Sequence, residues 1–385
     1  MKKEASNNNS TNVRDSGLEL MRIISMFFIV LYHIILHCNF LSTSTGSIKV
    51  LFDLILSFII IHVNSFIVIT GYFQSKSKFK FSKLLAINNS TWFYKILIPI
   101  ILIILSIIKI PDKISIFKIL MPIDYGTYWY INNYIVLYLL SPYLNHVVEG
   151  MNKNQFKRLL IIFFIFISLI PTFTHDYSFN TYGGRSLITF IMLYFIGAYL
   201  RKFPIEFEGI FENKTEKAKQ LIYLCLYIFF AVLSFLVLRF GIELTNNGEL
   251  SYYFGVNLQN FNASYASPII VLETVFYFMF FKSLKIKSKF INIVSSLTLG
   301  VYQISENIYL RENIYDYFKL TKIQNVSGRY ILYSIVSAFL VFWICIILEL
   351  IRQKVFKFIY NRKFASKFRN KIRNYFSDLG FDISW

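Results

Sequence analysis

The sequence predicts an all-α fold: a polytopic transmembrane helical bundle of about ten spans. Three observations lead there. Of 385 residues, 56% are hydrophobic and 16% charged, where ordinary soluble domains carry about 25% charged residues. Mean hydropathy is +0.52. Several apolar runs reach the roughly 18 to 20 residues that cross a bilayer as helix, and in hydrocarbon a helix satisfies its own backbone donors and acceptors. A soluble globular domain is excluded by these numbers. So is disorder, because disordered chains are poor in the aromatic and β-branched residues that abound here.

Windows of about 19 residues centre in order on 19–38, 51–73, 90–108, 128–148, 158–175, 186–200, 219–240, 266–282, 290–310 and 330–351. The first is preceded by a polar stretch and has no small-residue cleavage site, so it reads as a retained helix. In the fourth, Asn132, Asn133, Ser141 and Pro142 interrupt the apolar run, and the sixth is short; nine and eleven spans are the alternatives. The domain reading is a cytoplasmic tail over 1–17, a membrane body over 18–351 and a basic cytoplasmic tail over 352–385. No internal repeat and no separate soluble domain is visible.

Net charge is +19, and its distribution identifies the partner. With the N-terminus inside, 28 Lys and Arg fall on the cytoplasmic side and 8 on the other. This bias fixes the expected orientation, with both termini cytoplasmic. It accounts for the basic excess without nucleic acid. The tail 352–373, with Phe356, Phe358, Phe364 and Phe368 among its basic residues, suits an anionic leaflet. The longest connection, about 241–265, carries Asn246, Asn247, Tyr252, Tyr253, Asn257, Gln259, Asn260, Asn262 and Tyr265. Such a mixture serves either a sugar or a plain polar loop.

Ionisable groups inside spans are costly and therefore informative. Arg22 and His33 are eleven residues apart, close to three helical turns, so they share one stripe of the first helix about 16 Å apart along its axis. Taken singly, Arg22 also fits a snorkelling side chain and His33 a packing histidine. His37 completes an i, i+4 pair with His33, but no carboxylate or third histidine lies near in sequence, so no metal is expected. His62 and Asn64 read as interhelical hydrogen-bond partners. Glu273 either pairs with a base such as His33 or is structural; Glu306 and Asn307 either line a site or reach water. Glu349 reads as a solvated partner of Arg352. Cys38, Cys225 and Cys345 lack metal-site or disulfide spacing. Walker A, GxGxxG, HExxH, GxSxG and His-x4-Asp patterns are all absent, which disfavours an ATP-driven pump or a membrane metalloprotease.

These residues resemble a known family. Arg14, Asp15, Glu19-Leu20-Met21-Arg22 and Tyr32-His33 resemble the opening of the acyltransferase-3 integral membrane acyltransferases, whose hallmark is R-x10-H. Ser65 to Phe73 is similar to the family's FFxxSGxx segment, with Thr70 for serine. Lys76 to Lys83 and Tyr94-Lys95-Ile96-Leu97-Ile98-Pro99 resemble its basic loop and R-I-x-P segment, with lysine for arginine. The stretch from Trp129 to Asn145 and the segment Ser296 to Tyr302 resemble signatures of the branch in Gram-positive bacteria that modifies surface or exopolysaccharides. One departure stands out. Ser305 occupies the place of a histidine in the family's Ile-His-Glu-Asn, and Gln303 replaces an apolar residue.

The resemblance implies transfer of an acyl group, most often acetyl, from cytoplasmic acyl-CoA to a hydroxyl of a cell-surface or lipid-linked polysaccharide. It makes His33 and Arg22 the catalytic candidates, with His33 a general base or a transient acyl carrier. Glu306, Asn307, Glu273, Trp129 and Asn132 become acceptor-binding candidates, and Arg22 and Lys95 candidates for acyl-CoA. Acyl-CoA is a co-substrate; no permanently bound cofactor is expected. Succinyl is a variant of the acyl group. Two readings from other classes are a glycan or lipid transporter without covalent chemistry and a catalytically degenerate scaffold of a glycan-assembly complex.

Overall fold

In the computed structural model, residues 14–121, 128–173, 182–203, 215–311, 313–314 and 328–360 are described. The first thirteen residues, Lys319, Lys322 and the tail beyond Tyr360 with Phe364 and Phe368 lie outside them. Among the described residues there are helices and no strands. They are α1 (Ser16–His37), α2 (Gly46–Ile59), α3 (His62–Gln74), α4 (Phe81–Ile104), α5 (Trp129–Gly150) and α6 (Lys153–Phe163). There follow α7 (Leu187–Lys202), α8 (Glu216–Leu244), α9 (Glu249–Ala263), α10 (Pro268–Ser283), α11 (Lys289–Ser305) and α12 (Arg329–Tyr360). A π-turn over Phe164–Leu169 extends α6 to Phe173. Short helices Phe40–Thr43 and Lys113–Leu120 sit in connections.

By length and composition, six segments can cross a membrane: α1, the α2–α3 pair, α4, extended α6, α8 and α12. The chain is a multi-pass membrane protein. The remaining windows hold α5, α7, α10 and α11. The structure departs from the sequence reading at several points. Pro142 does not break α5. Proline cannot donate to the carbonyl four residues back, and the Ser141 hydroxyl donates to that carbonyl, Tyr138 O, at 2.7 Å. The second window is instead broken at Ile60 and Ile61. Much of the 241–265 connection is helix α9, in which Asn257 is buried and Gln259 donates to Gly241 O at 3.4 Å; the Asn260 and Asn262 side chains lie outside the described residues. The final helix continues past 351 to Tyr360.

α1 is the hub, packing against α2, α3, α10, α11 and α12. Its start is fastened at both sides. Asp15 accepts from Leu18 N as the N-cap and pairs with Lys282 at 2.5 Å, while the Ser16 hydroxyl donates to Asn292 Oδ1 and accepts from Ser288 N. α3 and α7 cross through glycines: a Cβ on Gly71 would lie 2.1 Å from Tyr194 O, and one on Gly197 would lie 2.1 Å from Val68 O. Two apolar clusters result, one around α1, α4, α11 and α12, the other around α3, α7 and α10. On the outside the polarity is that of a lipid-facing surface, with Phe229, Leu236, Phe240, Leu332, Phe339 and Ile347 uncovered.

Candidate active site

Between the two clusters lies a cavity of about 440 Å³. Arg22, Met26, Ile29, His33 and His37 of α1 recur every three or four residues and form one wall. α3, α4, α5 and α11 give the others, and Arg185, Tyr265 and Arg311 reach in from connections. The two residues the sequence put on one stripe therefore border one space, roughly 16 Å apart along the helix.

At the His33 end, Glu306 is the centre. It follows the last turn of α11 as its C-cap and is buried. A carboxylate there opposes the helix dipole, and cationic or polarisable groups surround it. His33 Nδ1 lies 3.1 Å from Glu306 Oε1, and His37 Nε2 lies 3.4 Å from Oε2. The imidazoles stack at 5.6 Å, 17° apart. His33 Nδ1 is sealed from solvent and out of line for a hydrogen bond, while the ring keeps some exposure. The ring lines the cavity.

This corrects one premise of the sequence reading: a carboxylate does stand beside His33 and His37, brought by α11. Their donor atoms lie within 4.8 Å of one another, so the three could hold a cation. The charges of Arg185 and Arg311 act on the same spot and oppose a dication there. Ser305 is buried, its hydroxyl without a partner among the described residues. The second imidazole at Glu306 comes instead from α1.

The break between α2 and α3 shapes the adjoining wall. His62 Nδ1 lies 2.7 Å from Ile59 O. A carbonyl only accepts, so Nδ1 carries the proton and, in the neutral ring, Nε2 accepts from the Tyr265 hydroxyl at 3.2 Å. Asn64 Nδ2 donates to Tyr265 O at 2.8 Å. His62 and Asn64 thus bond between distant segments, as the sequence suggested. Trp129 stacks on Tyr265, and Arg185 lies over Trp129 with 5.9 Å to its centroid. Gly184, at φ +79°, permits this approach, since a Cβ there would meet Ala266 N at 2.4 Å.

At the other end, Arg22 Nη1 donates to both oxygens of Glu19, at 3.1 and 2.9 Å, and the guanidinium lies over Phe73. Glu19 also accepts from the Ser295 hydroxyl. Lys83, Thr70, Tyr134, Ser295 and Ser296 line the cavity nearby.

Of the other sequence candidates, Trp129 and Glu306 are on the wall and four are not. Asn307 donates to Tyr94 O at 3.4 Å and the Tyr128 hydroxyl at 3.3 Å, and accepts from Tyr309 N. Lys95, twelve residues beyond Lys83 on α4, is buried and donates to Met121 O at 3.0 Å. Asn132 does not line the cavity; at about 100° per residue it is turned roughly 160° from Tyr130 and Tyr134 on α5. Glu273 is fully buried on α10, which gives the cavity no side chain, and neither of its oxygens has a hydrogen-bond partner among the described residues. Glu349 does pair with Arg352, but in a buried setting, accepting from Tyr94, Arg352 and Gln353. Sequence reasoning passed over Arg185 and Arg311 as site residues and the bond of Arg22 to Glu19; it named Tyr265 only within a connection that suits a sugar or a plain loop, and Lys83 only within the basic loop. For the first two a signal exists: they are basic residues on the side that the charge bias otherwise depletes.

The helical membrane body thus encloses a histidine–carboxylate pair and a remote arginine on one cavity. Residues 15–350 match the model of the acyltransferase-3 family, described as an acyltransferase domain. The chain belongs to that family and is a membrane acyltransferase. No curated protein and no solved structure matches it significantly.

Proposed function

We propose that the protein transfers an acetyl group from cytoplasmic acyl-CoA to a hydroxyl of a cell-surface or lipid-linked polysaccharide, with both termini in the cytoplasm. The 28-to-8 bias of Lys and Arg supports that orientation. It puts the Arg22 end toward the donor and the His33 end toward the acceptor. The single observation that carries the reading is the pair His33–Glu306 on the wall of the cavity that also holds Arg22.

Arg22 and Lys83 form the donor end. A guanidinium fork suits phosphate oxygens, and Glu19 fixes its angle. A donor phosphate held there leaves the thioester arm to run the roughly 16 Å to His33. Glu306 faces Nδ1, so a proton on that nitrogen leaves Nε2 as the base. Nε2 takes the proton of the acceptor hydroxyl as its oxygen attacks the thioester carbonyl. The carbon–sulfur bond breaks, and the imidazolium returns the proton to the departing thiolate. Acceptor hydroxyl and acyl-CoA become ester and CoA thiol, and Glu306 stabilises the cation between the two proton transfers.

The test is His33→Ala in a host making the acceptor polysaccharide. Its surface glycan should lack O-acyl resonances by NMR while the variant's membrane abundance equals that of the wild type. Normal O-acylation at equal abundance would remove His33 from the chemistry.

A further inference from the structure

Resting on the reading just given, we infer that the His33 end of the cavity selects an acceptor carrying an anionic group, a carboxylate or phosphate, beside the hydroxyl that is acylated. The two ends of the cavity are charged differently. At the far end, the Arg22 guanidinium is bonded twice by Glu19. At the His33 end, Arg185 and Arg311 both line the wall, and among the described residues neither has a carboxylate within salt-bridge distance. The one carboxylate present, Glu306, is already shared by two imidazoles. Arg311 Nε is buried and has no hydrogen-bond partner among the described residues.

Arg311 is only partly exposed, and leaving its buried Nε without a partner is costly; Arg185 is solvent-exposed and adds its charge beside it at less cost. A neutral sugar leaves Arg311 with no more than the attraction of a carboxylate already shared by two imidazoles, and Arg185 with the Tyr32 hydroxyl. An anion seated between them gains charge-assisted hydrogen bonds from rigid forks. The same wall carries aromatic surface: Trp129 lines the cavity, with Tyr265 stacked on it and Arg185 over the indole. A ring resting there with its acidic group toward the guanidiniums has a hydroxyl free to meet His33 Nε2.

The same negative charge could instead sit on the acyl group, as in a succinyl donor, so the experiment separates the two sources. The full-length protein in phosphatidylcholine nanodiscs is titrated with trigalacturonic acid and with its methyl ester, which has the same skeleton without the charges. The acid should bind about 10- to 100-fold more tightly than the ester at low salt, with the difference shrinking as salt rises. Arg185→Gln/Arg311→Gln should erase the difference, and Arg311→Lys should keep part of it. Equal binding of acid and ester, or a preference that survives in the double Gln variant, overturns the inference. In a second arm, thiol release from succinyl-CoA and acetyl-CoA is compared with the methyl ester as acceptor. A succinyl preference that the double variant loses would give the guanidiniums to the acyl group and overturn the acceptor assignment. Failure of every donor and acceptor pair to release thiol would count against the proposed reaction, and the binding titration would still decide this point.

Discussion

Exchanging Glu306 for Gln alters one charge and almost no volume, and the geometry says what that should cost. At 3.1 Å, a full negative charge facing an imidazolium at an effective dielectric of 20 contributes roughly 5 kcal/mol. His37, Arg185 and Arg311 compete for the same carboxylate or repel the same imidazolium, so roughly half of that is a reasonable lower bound. At about 1.36 kcal/mol per tenfold change, the expected fall in kcat is about 10²- to 10⁴-fold. The amide also offers Nδ1 either a donor or an acceptor, so the ring loses its preferred tautomer. The assay is thiol release from acetyl-CoA by the purified protein in lipid, with acceptor present. KM for acetyl-CoA should move less than about threefold, because the donor end is roughly 16 Å away. His37→Gln is the control: it touches Glu306 yet leaves the His33 contact, and should cost less than about tenfold. A Glu306→Gln protein within threefold of wild-type kcat, folded and equally abundant, would refute the paired histidine and carboxylate as the working unit.

Arg22→Lys keeps the charge and loses the fork; acetyl-CoA KM should rise about tenfold or more, and an unchanged value would mean that charge alone suffices. Gly197→Ala puts a methyl group 2.1 Å from the Val68 carbonyl and should destabilise the α3–α7 crossing by about 3 kcal/mol, read as earlier loss of the monodisperse peak after heating. Arg352→Ala leaves the Glu349 carboxylate buried without its cation, costing about 3–5 kcal/mol; Glu349→Gln/Arg352→Leu should recover most of that loss in the same measurement.

The all-helical class and the shared stripe of Arg22 and His33 are legible in the order of residues alone, because both follow from local rules. Backbone groups in hydrocarbon must bond within their own segment, and a 3.6-residue period fixes which side chains on one helix share a face. The family resemblance rested on the same local segments. What stands next to that stripe was decided only in three dimensions. Glu306 reaches His33 and His37 because α11 packs on α1, a contact across more than 260 residues of chain. Arg185 and Tyr265 meet because a tight glycine turn brings two connections together. Conversely, Asn307, Lys95, Asn132 and Glu273 looked available in sequence, yet rotation about each helix axis and packing against neighbours turn them away from the cavity. Which polar groups meet across helices depends on crossing points such as Gly71 and Gly197, where backbone contact sets the spacing. A one-dimensional pattern carries no record of those distances.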